Sequence, residues 1–267
     1  MKQPFENPGD SKPAPSADEE QSLARGLIYR FIAGAYRYPE PDVLNAIQEQ
    51  EKAVLEALAV LADSSDGLLP GRFRELLGAA KENTPDTLEQ KYVSLFSHAV
   101  QGRCPLYETE YSESDERLQQ PHELSDLSGF YRTFGLKLGG GIHERVDFIA
   151  VECEFAAFLC CKQAYAEEHG DSELAGITVN AEQKFLHDHL GRWVPAFARR
   201  IIRQSEDSFF HSLAQFTLAF VTDDCKRLGV TPGTEHLKLR LPLTEEDARV
   251  SCPMAEAGSG LSFPQKV

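Results

Sequence analysis

The sequence predicts an all-α protein, and three observations carry that expectation. Apolar residues recur at intervals of three and four, as in Leu23, Leu27, Phe31 and Ala35 or Phe209, Leu213, Phe216 and Phe220. This spacing places side chains on one helical face. Runs that alternate apolar and polar residues, the mark of a half-buried strand, are nearly absent. Caps, prolines and glycines separate the periodic runs. The expected architecture is a single globular helical domain of about ten helices with disordered termini.

Each element has its own warrant. Residues 1–18 carry Pro4, Pro8, Pro13 and Pro15 without apolar periodicity and are expected to be disordered. Ser16-Ala-Asp-Glu19 is a capping box that opens a helix ending before Tyr38-Pro39. Pro41-Asp-Val-Leu44 starts another through Leu55, Leu58 and Leu61, and Asp63-Ser-Ser-Asp-Gly67 stops it. Short helices follow over 70–80 and 84–98. From Gly102 to Leu118 the pattern breaks into a loop with some extended backbone. Gln120 to Phe134 is helical again through Leu124, Leu127 and Tyr131, with Gly135 as its stop. Gly139, Gly140 and Gly141 impose little backbone preference, so a hinge is expected near 139–147. A helix then opens at Glu144 and ends near His169-Gly170. Ala181 to Leu190 is the next, Gly191 interrupts it, and Pro195 suits the first turn of its successor through Phe197 and Ile201. The Phe209 to Phe220 stripe marks a last long helix. Residues 19–228 thus form the domain, and 229–267, rich in Pro, Gly and charge, a largely irregular tail.

Composition narrows the function classes. The 267 residues carry a formal charge of -15 with a pI near 5.0, which argues against a general nucleic-acid binder and suits either a cationic partner or simple solubility. The six cysteines, Cys104, Cys153, Cys160, Cys161, Cys225 and Cys252, form no Cys-x-x-Cys pair. Met1 is followed by no apolar export segment, and no stretch approaches a membrane span, so the expected location is the reducing cytoplasm. The sequence lacks Glu-x-x-His, Gly-x-Ser-x-Gly and Walker patterns, and His187 and His189 lie nearly opposite on a helix. No catalytic residue and no metal ligand set is expected.

The run from Glu144 to Leu159 is the main candidate binding surface. On one helix, Glu144, Asp147, Val151, Glu154 and Phe158 fall within an arc of about 80°, mixing carboxylates with apolar groups. Such a stripe suits a basic, apolar peptide, and it equally describes an ordinary amphipathic helix with acids at the solvent boundary. Phe148, Phe155 and Leu159 continue the apolar side. The loop Pro105-Leu-Tyr107-Glu108-Thr-Glu110-Tyr111 interleaves aromatics with acids, a pattern able to attract and stack cations or to fold over the core. Trp193, the single tryptophan, reads as core by residue type.

The order of these segments resembles the TorD/DmsD/NarJ-type chaperones, the redox enzyme maturation family for molybdenum enzymes. Tyr92-Val-Ser-Leu-Phe96 resembles the family's aromatic-x-x-Leu-Phe signature, and Pro105 to Tyr111 its proline-aromatic-glutamate loop. Gln119 to Gly135 resembles the following helix. Glu144-Arg-Val-Asp147 with Glu152-Cys-Glu154-Phe155 is similar to its Glu-x-Pro-Asp-His hinge and Glu-x-Glu-Phe helix, and His189-Leu-Gly-Arg-Trp193-Val-Pro195-Ala-Phe197 to a later element. Together these cover roughly residues 20 to 225. Val146 stands where the family usually has proline and Phe148 where it usually has histidine, so imidazole-dependent roles do not carry over and the case for nucleotide binding is weakened.

The resemblance implies a TorD-like fold and a cytoplasmic chaperone, not an enzyme. Such a chaperone binds the apo catalytic subunit of a DMSO reductase-type molybdoenzyme and its twin-arginine signal peptide until cofactor insertion. It implies no nucleic-acid or membrane partner, no stably bound cofactor, and a transient contact with molybdopterin guanine dinucleotide. A monomer or a dimer swapped through the hinge is expected. The client-binding candidates are Glu144, Asp147, Val151, Glu154, Phe158, Phe148, Tyr107, Glu108, Glu110, Tyr111 and Trp193. The competing readings are a metal or cofactor binder using Cys153, Cys160, Cys161 and Cys252, and an unrelated helical scaffold.

Overall fold

The computed structural model describes residues 15–62, 67–96, 103–112, 120–136, 144–205 and 209–240. These form an all-α bundle: α1 (Ala17–Tyr36), α2 (Val43–Glu49), α3 (Glu51–Val60), α4 (Leu69–Lys81), α5 (Pro85–Phe96), α6 (Gln120–Thr133), α7 (Ile149–Glu168), α8 (Ser172–Asp188), α9 (Leu190–Gln204) and α10 (Phe209–Arg227). Two short strands, β1 (Tyr111–Ser112) and β2 (Lys238–Leu239), pair antiparallel with Tyr111 opposite Leu239. No described helix is long and apolar enough to cross a membrane. The expected glycine hinge at 139–141, the segment 1–14 and the tail beyond 240 lie outside the described residues.

Helices α1 and α7 pack antiparallel, as Ser22 bonds Glu167 at 3.0 Å while Arg37 bonds Glu154 at 2.5 Å. Their close approach needs Gly26, where a Cβ would sit 3.2 Å from Cys160 Cβ. Aromatic side chains fill the spaces between the other helices: Phe31 packs on Phe73 and Phe216, and Tyr36 on Phe96 and Phe197. Offset and edge contacts of this kind add to their area burial. Ser16 caps α1 as the capping box predicts, its hydroxyl accepting from the Glu19 N–H at 3.1 Å.

Four boundaries differ from the sequence-based expectation. The helix predicted from Pro41 to Leu61 breaks at Gln50 into α2 and α3. Helix α7 starts at Ile149, not Glu144, because residues 144–148 pair with the 105–111 loop: Glu108 N–H donates to Asp147 O and Ile149 N–H to Leu106 O, both at 2.9 Å. Helix α8 starts at Ser172, where the Asp171 side chain accepts from the Leu174 N–H at 3.0 Å. Gly191 lies inside α9 rather than between helices, and glycine is required there because a Cβ would meet Leu186 O at 2.5 Å.

Pro195 also lies inside α9, not in its first turn. Proline cannot donate to the carbonyl four residues back. The Gly233 N–H supplies that bond to Gly191 O at 3.0 Å. Residues 229–240, though mostly irregular, are therefore fastened to the bundle, and a Cβ at Gly233 would lie 2.0 Å from Arg192 O.

A buried ion cluster ties α1 to α8 and α10. Arg25 donates to Asp224 at 2.6 and 3.1 Å and to Glu182 at 2.6 Å, and Tyr29 donates to Asp224 at 2.7 Å. Glu182 Oε1 has no hydrogen-bond partner among the described residues and lines a void of about 10 Å³, at the lower limit for one water. Burial pushes the Glu182 carboxyl up to about 7, against the pull of Arg25.

Two outcomes follow. Gly233→Ala should lower the melting temperature markedly, because the clash is with backbone and not with a flexible side chain. A raised folded-state value means that Glu182 contributes most stability below its ordinary value near 4.5 and loses it as pH rises through about 7. Chemical denaturation should therefore show Glu182→Gln gaining on wild type by up to about 3 kcal/mol between pH 5 and 8.

Candidate functional site

The entry to α7 is built around a buried carboxylate. Asp147 is fully buried and accepts from the Thr109 N–H at 3.2 Å, the Thr109 hydroxyl at 2.8 Å, and Arg145 at 2.9 and 2.7 Å. Arg145 also donates to Glu110 at 3.1 Å and stands 4.5 Å above the Tyr107 ring. Tyr107 forms a bridge with Phe148, and their rings pack 5.8 Å apart. The loop and the residues before α7 are thus a single clamped unit.

Beneath it lies a second polar layer. Glu108 is buried, accepts from Arg192 at 2.7 Å and lies 3.2 Å from His189 Nδ1. Trp193 donates its indole N–H to Glu152 at 3.0 Å. Burial, reinforced by the Glu108 charge, pushes the Glu152 carboxyl well above the usual range, favouring its neutral form. Glu110 receives Gln120, and Tyr111 donates to Pro105 O while its ring packs, tilted, against Trp193 at 5.3 Å.

The candidate residues therefore separate into two sets. Asp147, Phe148, Val151, Glu108, Glu110, Tyr111 and Trp193 are buried and serve the fold. The proposed single stripe fails because Glu144 and Asp147 precede the helix and Asp147 points inward. Glu144 and Glu154 are exposed, and Phe158 and Tyr107 are half-buried.

The exposed groups belong to an acidic and aromatic face that also includes Tyr38, Glu40, Glu89 and Tyr92. Tyr38 is 41% exposed, donates to Glu89 and packs on Tyr92 with ring centroids 5.4 Å apart. The phenols of Tyr92 and Tyr107 are raised first by burial and then by the Glu144 charge, which places that carboxylate beside both rings. Sequence reasoning missed Tyr38 and Glu89, since no spacing links the end of α1 to α5. It also assigned Arg145 no structural part, though Arg145 lies within the quoted Glu144 to Asp147 motif.

No group of three or more His, Cys, Asp or Glu side chains able to hold a metal occurs among the described residues. Cys104, Cys153, Cys160 and Cys225 are buried, whereas Cys161 is exposed. A groove of about 330 Å³ between α4, α9 and α10, lined in part by Leu68, Arg72 and Ile202, shares no residue with the acidic face.

Because Asp147 neutralises Arg145 and satisfies Thr109, Asp147→Ala should cost about 2–4 kcal/mol of stability. Any loss of ligand affinity in that variant should track unfolding, which parallel denaturation and binding curves would reveal.

The chain is similar to named assembly factors over most of its length. It is 28% identical over 207 residues to the perchlorate reductase assembly chaperone protein of Dechloromonas aromatica, covering 76% of this chain and 88% of that protein. It is 32% identical over 188 residues to the chlorate reductase assembly chaperone protein of Ideonella dechloratans, covering 69% and 79%. It is 24% identical over 208 residues to the chaperone protein TorD of Vibrio cholerae, covering 77% and 82%. The profile of the family described as nitrate reductase delta subunit matches residues 47–199, more than half of the sequence. With its helical bundle and the clamped loop at α7, the chain belongs to the nitrate reductase delta subunit family, whose members of the NarJ and TorD type are chaperones and not enzymes.

Proposed function

We propose that this protein holds the apo catalytic subunit of a DMSO reductase-type molybdoenzyme in the cytoplasm until its cofactor is inserted. Its acidic and aromatic face receives the client's basic, apolar twin-arginine leader. The observation that carries this reading is the cluster of exposed Glu144, Glu89 and Tyr38 around half-buried Tyr107. The face already handles arginine within the chain: Arg145 stacks on Tyr107, and Arg37 pairs with Glu154. A client guanidinium would meet the same chemistry, at about 1.5–3 kcal/mol per charge-assisted hydrogen bond. The formal charge of -15 supports fast encounter with a cationic segment.

Reductase assembly by the named relatives supports the client class. In this reading the molybdopterin guanine dinucleotide cofactor is the client's and touches the chaperone only in transit.

Anisotropy of a labelled leader peptide bearing two arginines tests the face. Glu144→Gln and Tyr38→Ala should each weaken binding about tenfold, with a shallower salt dependence for Glu144→Gln. Unchanged affinity in both variants would remove the face from the assignment while leaving the family intact.

A further inference from the structure

Helix α6 rests on the bundle through aromatic rings. Phe130 packs on Phe155, Phe185 and His189 with centroids 5.6, 5.8 and 6.0 Å apart, and Tyr131 on Phe155 at 4.7 Å. Phe134, just past the helix end, packs on Phe155 and Phe158 at 5.6 and 6.2 Å. No backbone hydrogen bond joins α6 to another element among the described residues. Side chains make its polar ties: Gln120 donates to Thr109 at 2.9 Å, Tyr131 to Val146 O at 3.0 Å, and Arg240 to Glu123 at 2.5 Å.

Gly129 weakens this helix further. It is exposed in mid-helix and nothing lies within 4 Å of a Cβ there, so packing does not call for glycine. A glycine at such a position favours the unfolded chain relative to alanine. A helix of 14 residues is marginal in water by itself, so α6 lifted from its bed unwinds.

The bed is continuous with the acidic and aromatic face on two sides. On α7, Phe155 packs on Phe158 at 6.1 Å, and Phe158 stands one turn from Glu154, which pairs with Arg37 beside Tyr38. At the other flank Tyr131 reaches Val146, the neighbour of Arg145, whose guanidinium stacks on Tyr107. A peptide whose arginines meet that face therefore carries its apolar run toward α6. Such a run in an export signal is about 7–15 residues long, and α6 presents Leu124, Leu127 and Tyr131 at helical spacing within its 14 residues. The present occupant and the ligand are alike in length and chemistry.

We infer that α6 occupies the seat of the leader's apolar run and gives it up when the leader binds, an inference that rests on the proposed leader-binding function. Incoming apolar side chains replace those of α6 on Phe155 and Phe158, so burial is exchanged and not lost. The fraction of molecules with the bed open scales the apparent affinity.

Hydrogen exchange of the full chain, alone and with a peptide of two arginines followed by about twelve leucines and alanines, provides the test. Saturating peptide should speed exchange of the α6 amides by about tenfold or more. Phe134→Ala, which loosens α6, should tighten peptide binding about threefold, whereas Phe158→Ala, in the bed, should weaken it about tenfold. Gly129→Ala, which strengthens α6, should weaken binding about threefold. A peptide with glutamines in place of both arginines should still release α6 at higher concentration. Binding that leaves α6 exchange unchanged or slower, or that Phe134→Ala weakens, would overturn this inference and leave the proposed function standing. Failure of both peptides to bind would overturn the two together.

Discussion

The buried Asp147 carboxylate is the constraint on which the arrangement of the 105–111 loop and the start of α7 depends. It stands just before α7 and takes hydrogen bonds from Thr109 and Arg145, so it holds the 105–111 loop and the start of α7 in one frame. A carboxylate in that position would be costly without those donors. With them it orients Arg145 over Tyr107 and leaves Glu144 at the surface beside Tyr92. The exposed face is thus held in place by an interior network, and the two cannot be varied independently.

The same separation runs through the acidity of the chain. Part of the -15 charge reflects acids that face solvent, such as Glu89, Glu144 and Glu154. Other acids are internal and add little to that net charge: Arg192 and Arg25 answer Glu108 and Asp224, and Glu152, held toward its neutral form, receives Trp193. Buried pairs of this kind contribute little net stability over apolar packing but are expensive to break. They align α1, α7, α8, α9 and α10. In the proposed function, client recognition falls to the surface acids and tyrosines, where a foreign arginine would replace an internal one.

Family motifs and the proposed client face consequently overlap only in part. The Glu-x-Glu-Phe segment of α7 contributes one glutamate to each role, Glu152 inward to Trp193 and Glu154 outward to Arg37. The His189 to Phe197 element underlies the loop through His189, Arg192 and Trp193, and its Pro195 is tolerated because the returning chain supplies the Gly233 N–H.

The sequence by itself determined the helical class, the cap at Ser16, most helix positions and the family, because periodicity, capping and ordered motifs are local. It placed Tyr107, Glu144 and Glu154 among the candidate residues but treated Glu144 and Asp147 as part of α7. Helical spacing carries no information about a competing partner far away in the chain, and here the 105–111 loop takes the backbone hydrogen bonds that would have extended the helix. Likewise, nothing in the neighbourhood of Asp147 announces that it is buried, or near Tyr38 that it meets Glu89 and Tyr92. Tertiary structure alone decided which carboxylates reach solvent, since burial is a property of everything that packs around a residue.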